Sequence, residues 1–151
     1  MNKVKILRCV LIVLIAATLM FIWGNSLQPR EDSLKDSEAV TNWIRPILGA
    51  LIGEENVTVH FVRKLAHFTE FAVLGAELSC LALLLTKRRL RGLLSCLAAG
   101  LLAGAIDESL QLLGDRGAQV RDVLLDFGGV LAAVLAIHLL AYLHSRRSAK
   151  N

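Results

Sequence analysis

Four long apolar stretches leave this chain little freedom. They cover residues 9–27, 61–85, 90–113 and 120–143 of 151. At 1.5 Å per residue, a helix of about 24 residues reaches about 36 Å, enough to cross a hydrocarbon core of roughly 30 Å with some tilt. The longest remaining segment, residues 28–60, is too short for a soluble domain, because chains below about 40 residues usually need disulfides or metals to fold alone. A mean hydropathy of +0.57 with 55% hydrophobic residues agrees. The expected fold is all-α: a single membrane domain over residues 1–151, built as an integral membrane four-helix bundle. Cys9, Cys80 and Cys96 all lie in the apolar stretches and offer neither a disulfide framework nor a metal-binding CxxC pair. They are expected to behave as small hydrophobes. The first stretch starts as a signal peptide does, but no small-x-small motif follows it, so an uncleaved span is expected.

Charge sets the expected orientation. Lys3, Lys5 and Arg8, then Lys87, Arg88, Arg89 and Arg91, then Arg146, Arg147 and Lys150 make up ten of the 17 basic residues, and no acid lies among them. Four spans put these three segments on one side, and the positive-inside rule makes that side the cytoplasm, with both termini inside. Residues 28–60 then face outward. Leu34, Val40, Trp43, Ile44, Ile47, Leu48 and Leu51 recur there at roughly helical spacing. A short amphipathic helix on the outer membrane surface is expected, kinked or divided at Pro46. An irregular polar loop is the alternative.

Ionisable residues inside spans are costly, so they normally face a helix interface or an aqueous cavity and pair with one another. Here they gather towards one side. His67 and Glu70 follow the outer start of the second span, Asp107, Glu108 and Gln111 precede the outer end of the third, and Asp122 and Asp126 follow the outer start of the fourth. Spacings of three and four put each set on one helix face, and a shared polar pocket is expected. Gly100, Gly104, Gly129 and Ala133 continue these faces and would let backbones approach closely.

Each of these residues has a bland and a sharp reading. Lys64, Arg63 and Arg116 are either snorkelling anchors or holders of a lipid phosphate. His67 and Glu70 are either an interhelical tie or a proton-transfer pair. His67 with Glu108, Asp122 and Asp126 could supply mixed nitrogen and oxygen donors, but no HExxH or comparable spacing is present, and no metal or cofactor is expected. Glu77 is the most isolated acid, and His138 and His144 are assigned no role.

Three motifs occur in order: Lys64-x-x-His67-Phe68-x-Glu70-Phe71, Asp107-Glu108-x-x-Gln111 and Arg116-x5-Asp122-x3-Asp126-x2-Gly129. With Trp23-Gly24-Asn25-Ser26-Leu27-Gln28-Pro29 before them, they resemble the VanZ-like family from about residue 23 to 129. The chain departs from that pattern at Asp126, where the family often has Asn, and at Gly24 or Asn25, where it often has Ser. The resemblance implies a bacterial cytoplasmic-membrane protein associated through the family's namesake with teicoplanin resistance, and it implies no settled reaction.

The expected site is an outward polar pocket of Lys64, His67, Glu70, Asp107, Glu108, Gln111, Arg116, Asp122 and Asp126. Its expected partners are membrane lipids, a lipid-linked cell-wall precursor or a glycopeptide. The alternative is a membrane-embedded enzyme acting on a lipid phosphate or ester, whose nucleophile would be Ser26, Thr69, Ser109 or water. A transporter is disfavoured by four helices without visible inverted repeats. Nucleic-acid binding is disfavoured by dispersed basic residues lacking an aromatic surface.

Overall fold

A computed structural model of the chain describes residues 2–113, 117 and 119–148. Among these residues the structure is helical throughout and has no strand. The order is α1 (Lys3–Ser26), α2 (Arg30–Ile52), a single 3-10 turn (Glu54–Asn56), α3 (Val59–Leu85), α4 (Arg89–Leu113) and α5 (Val120–Ser148). Helices α1, α3, α4 and α5 are each long and apolar enough to cross a membrane.

The helix ends follow local chemistry. The Asn2 side chain accepts from the Val4 N–H at the start of α1, and the Thr58 side chain accepts from the Phe61 N–H at the start of α3. Each satisfies one of the backbone donors that a helix start leaves unpaired. Gly53 ends α2 at φ +87, in the left-handed region open to glycine, and its N–H bonds the Gly49 carbonyl at 2.9 Å.

Helix α2 is longer than expected. It runs through Pro46 for 23 residues. The missing N–H of Pro46 costs one backbone bond without ending the helix, and Glu31 and Asp32 in the first turn complement the positive end of the helix dipole. Its buried residues are the polar Ser33 and Thr41, whereas Trp43, Ile47 and Leu51 are exposed.

Helix α3 is central, packing on α1, α2, α4 and α5, most extensively on α5. Two glycines explain the α3–α5 contact. A Cβ on Gly75 would lie 2.8 Å from the Val130 carbonyl oxygen, and one on Gly129 would collide with the Phe68 carbonyl oxygen. Small residues at such crossings let backbones meet, which is how helices gain contact where lipid removes the hydrophobic drive between them. Gly100 makes room in the same way for the Val130 side chain from α4. Ile22, Phe71, Leu74, Cys96, Ala103, Val130 and Val134 form the buried core. Cys9 and Cys80 are exposed.

The two ends of the molecule differ. At the basic end the Arg8 guanidinium donates to the Leu84 carbonyl at 2.5 Å and Arg89 donates to Ser145 Oγ at 2.7 Å, while Arg89 and Arg146 both lie over the Tyr142 ring. At the opposite end the end of α1, the start of α3, the end of α4 and the start of α5 bring polar side chains together. Gly129→Ala is expected to lower stability by about 1–3 kcal/mol through overpacking against Phe68. Gly24→Ala, with nothing within 4 Å of its Cβ, is expected to leave stability unchanged or slightly higher. Unfolding in mixed micelles measures both.

Candidate functional site

The centre of the polar end is Asp107, which is fully buried. Its Oδ1 accepts from Ser26 Oγ at 2.6 Å and its Oδ2 accepts from Gln111 Nε2 at 2.9 Å. One turn of α4 supplies Gln111 because four residues bring two side chains to one face. Ser26 comes from the last residue of α1. Gln111 Nε2 also donates to Glu108 Oε1 at 3.1 Å, and Glu108 Oε2 accepts from the Gln119 N–H at 2.9 Å, tying α4 to the segment that enters α5.

His67 faces two buried carboxylates. Its Nδ1 lies 3.9 Å from Asp107 Oδ2 and 3.8 Å from Asp126 Oδ1, separations beyond hydrogen-bond length. Asp126 is 1% exposed, and neither of its carboxylate oxygens has a hydrogen-bond partner among the described residues. Gly104 of α4 lies beside it, where an added Cβ would stand 3.4 Å from Asp126 Cβ, an ordinary van der Waals contact. Nearer the helix ends, Lys64 Nζ pairs with Asp122 Oδ1 at 2.5 Å, with both side chains partly exposed.

Two cavities flank His67. The larger, about 280 Å³, lies among α1, α2 and α3, with Asn25, Gln28, Ser33, Asp36, Ser37, Arg63, His67 and Glu70 on its polar wall and Phe21, Val40, Val62 and Ala66 completing it. The smaller, about 10 Å³, lies among α3, α4 and α5 and is lined by Arg63, Lys64, His67, Glu108, Gln111, Asp122, Leu125 and Asp126. That volume is about what one water molecule needs.

The structure therefore gathers Lys64, His67, Asp107, Glu108, Gln111, Asp122 and Asp126 around the α3–α4–α5 junction, with Glu70 on the larger cavity. Arg116 lies outside the described residues. Sequence reasoning did not anticipate the α2 wall of Ser33, Asp36 and Ser37. Ser33 and Ser37 fall on the same helix face as Val40 and Ile44, so the apolar spacing drew attention away from the polar residues within it. Glu77, the isolated acid, accepts from Thr18 Oγ1 at 3.1 Å, and its Oε2 is buried without a hydrogen-bond partner. Thr69 and Ser109 donate to carbonyls one turn back on their own helices and are exposed.

Four membrane-length helices that close over a buried polar cluster at one end define a multi-pass α-helical membrane protein. The chain belongs to the VanZ/LLP1 family, whose match runs over residues 10–141 and takes in every residue of the cluster. No curated protein and no solved structure matches the chain.

Ser26→Ala would leave Asp107 Oδ1 buried without its donor and is expected to cost about 1–3 kcal/mol. Ser109→Ala is expected to stay within about 0.5 kcal/mol. Chemical unfolding of the purified protein in detergent distinguishes the two.

Proposed function

We propose that the four long helices form a membrane-spanning bundle in the bacterial cytoplasmic membrane, with both termini cytoplasmic and α2 lying on the outer surface. The basic residues clustered at one end support this orientation. The exposure of Trp43, Ile47 and Leu51 supports an interfacial α2, which would turn these three residues to lipid and the buried Ser33 and Thr41 to the protein. An alkaline phosphatase reporter, active only when exported, is expected to be active when fused within residues 53–57 and inactive when fused after Ser148.

In this frame the polar pocket opens outward and receives the headgroup of an outer-leaflet lipid, with a lipid-linked cell-wall precursor as the preferred occupant. The observation that carries this reading is the 280 Å³ cavity, which sets Arg63 and His67 opposite the serines of α2 and keeps an apolar edge at Phe21 and Val40. Arg63 supplies charge-assisted donors to a phosphate oxygen, and the apolar edge suits the start of an acyl or prenyl chain. Ligand sites commonly span about 300–1,000 Å³, so this cavity suits a headgroup better than a whole glycopeptide. Sequestering or presenting a precursor would alter how teicoplanin meets its target, and the chain would contribute to glycopeptide resistance in that way.

Native mass spectrometry of the purified protein with a polyprenyl-pyrophosphate-linked precursor, phosphatidylglycerol or phosphatidylcholine tests the reading. Precursor retention is expected to fall about tenfold in Arg63→Ala and His67→Ala, one pK-unit-sized loss of binding energy, and to persist in Arg91→Ala at the basic end. Equal retention by all variants overturns the site. Teicoplanin susceptibility of a sensitive host expressing the same variants at equal abundance tests the resistance role.

A second reading is favoured by the juxtaposition of His67 with two buried carboxylates. Here His67 takes a proton from a water that attacks a lipid phosphate or ester, the bond to the leaving alcohol oxygen breaks and that oxygen receives the proton from His67, and Arg63 stabilises the developing negative charge. Water is the fitting nucleophile, because Thr69 and Ser109 are turned to their own helices and Ser26 is buried on Asp107. Mass spectrometry of envelope lipids incubated with the protein would find a cleaved headgroup under this reading and unchanged lipids under the first.

A further inference from the structure

We infer that His67, Asp107 and Asp126 form a binding site for a single divalent transition-metal ion, of the Zn²⁺ or Mn²⁺ class. One donor atom from each residue lies within 4.8 Å of the other two. Ligands of one such ion sit about 2.0–2.2 Å from it, so they stand at most about 4.4 Å apart. His67 Nδ1 already meets that limit, at 3.8 Å from Asp126 and 3.9 Å from Asp107. These gaps are too long for hydrogen bonds and of the length that a shared ion spans.

Asp126 supplies the independent observation. It is 1% exposed, its two oxygens have no hydrogen-bond partner among the described residues, and Oδ1 points towards His67. A carboxylate taken out of water normally has donors or a metal to compensate it. Two carboxylates and a neutral imidazole balance the charge of one divalent ion, which lowers the cost of burying them together in a span. The mixed set favours zinc or manganese over magnesium or calcium, which take oxygen ligands.

The surroundings resemble those of a built metal site. Ser26 and Gln111 each hold one oxygen of Asp107, as outer contacts do when they orient a ligating carboxylate. The 10 Å³ cavity beside His67 and Asp126 has room for a water as fourth ligand. The set differs from the one the sequence suggested, because Asp122 pairs with Lys64 and Glu108 is engaged by Gln111 and Gln119. The site does not depend on what fills the larger cavity, so failure of lipid binding would leave it standing.

The test uses the full chain, purified in detergent through a histidine-free tag, stripped with chelator and equilibrated with Zn²⁺, Mn²⁺ or Mg²⁺. Elemental analysis is expected to find one zinc or manganese ion per chain and no retained magnesium. Affinity, measured against a chromophoric chelator, is expected to fall at least about tenfold in Asp126→Asn and His67→Ala, and about 10- to 100-fold in the positioning variant Gln111→Leu. Glu77→Gln and His144→Ala are expected to bind as the unaltered protein does. Should the site variants fail to fold, Co²⁺ added to the unaltered protein still reads the site, through ligand-field absorption typical of one nitrogen and oxygen donors. Absence of bound zinc and manganese, an absorption spectrum of hydrated Co²⁺, or full binding in folded Asp126→Asn and His67→Ala overturns the inference.

Discussion

The polar end depends on how closely α3 and α5 approach. Gly129 lies against the backbone at Phe68, and Gly75 lies against the backbone at Val130. A contact between backbones fixes both separation and register, whereas a contact between flexible side chains leaves each some play. Asp126 is three residues before Gly129 and His67 is one before Phe68, so the same contact brings the imidazole to the carboxylate. A wider crossing would leave the two facing lipid or each other across a gap, and neither arrangement would satisfy a buried acid.

Asp107 extends this local geometry across the molecule. Its hydrogen bonds draw in Ser26 from α1 and Gln111 from its own helix, and Glu108 carries the connection to the segment before α5. Lys64 and Asp122 add a tie between α3 and α5 nearer the surface. Four helices are thus joined at one end by groups that each depend on a neighbour for compensation. Such a network is rigid when complete and costly when one member is removed.

Much of this was legible in the sequence, for identifiable reasons. Apolar runs of membrane length declare themselves, and a His, an Asp or a Glu within one is conspicuous because the medium penalises it. The pairing of those residues was not legible. Whether Asp126 or Asp122 meets His67 depends on the crossing of two helices, and Gly75, which helps to set that crossing, is a lone glycine in an apolar run with no motif to single it out. In helix α2 the detail was hidden for a related reason. Its apolar spacing was visible, but the spacing did not show that Trp43, Ile47 and Leu51 would be exposed while Ile44 and Leu48 turn inward with Ser33 and Thr41. Pro46 suggested a kink or a division, and the helix is not divided: it continues through Pro46 at the loss of a single backbone bond.

The bond between Ser26 and Asp107 spans 81 positions of sequence, which bears on how the protein is assembled. The first helix enters the membrane long before the ribosome reaches Asp107, and it must remain beside the others until the third apolar segment arrives. Until then Ser26 has a serine's weak polarity and is easily tolerated in lipid, whereas Asp107 arrives as a bare acid that lipid does not tolerate. The costly partner is thus made last and finds its donor waiting. A chain whose first helix has drifted away presents an uncompensated acid within the bilayer, a mark by which membrane quality control can tell an unfinished molecule from a finished one.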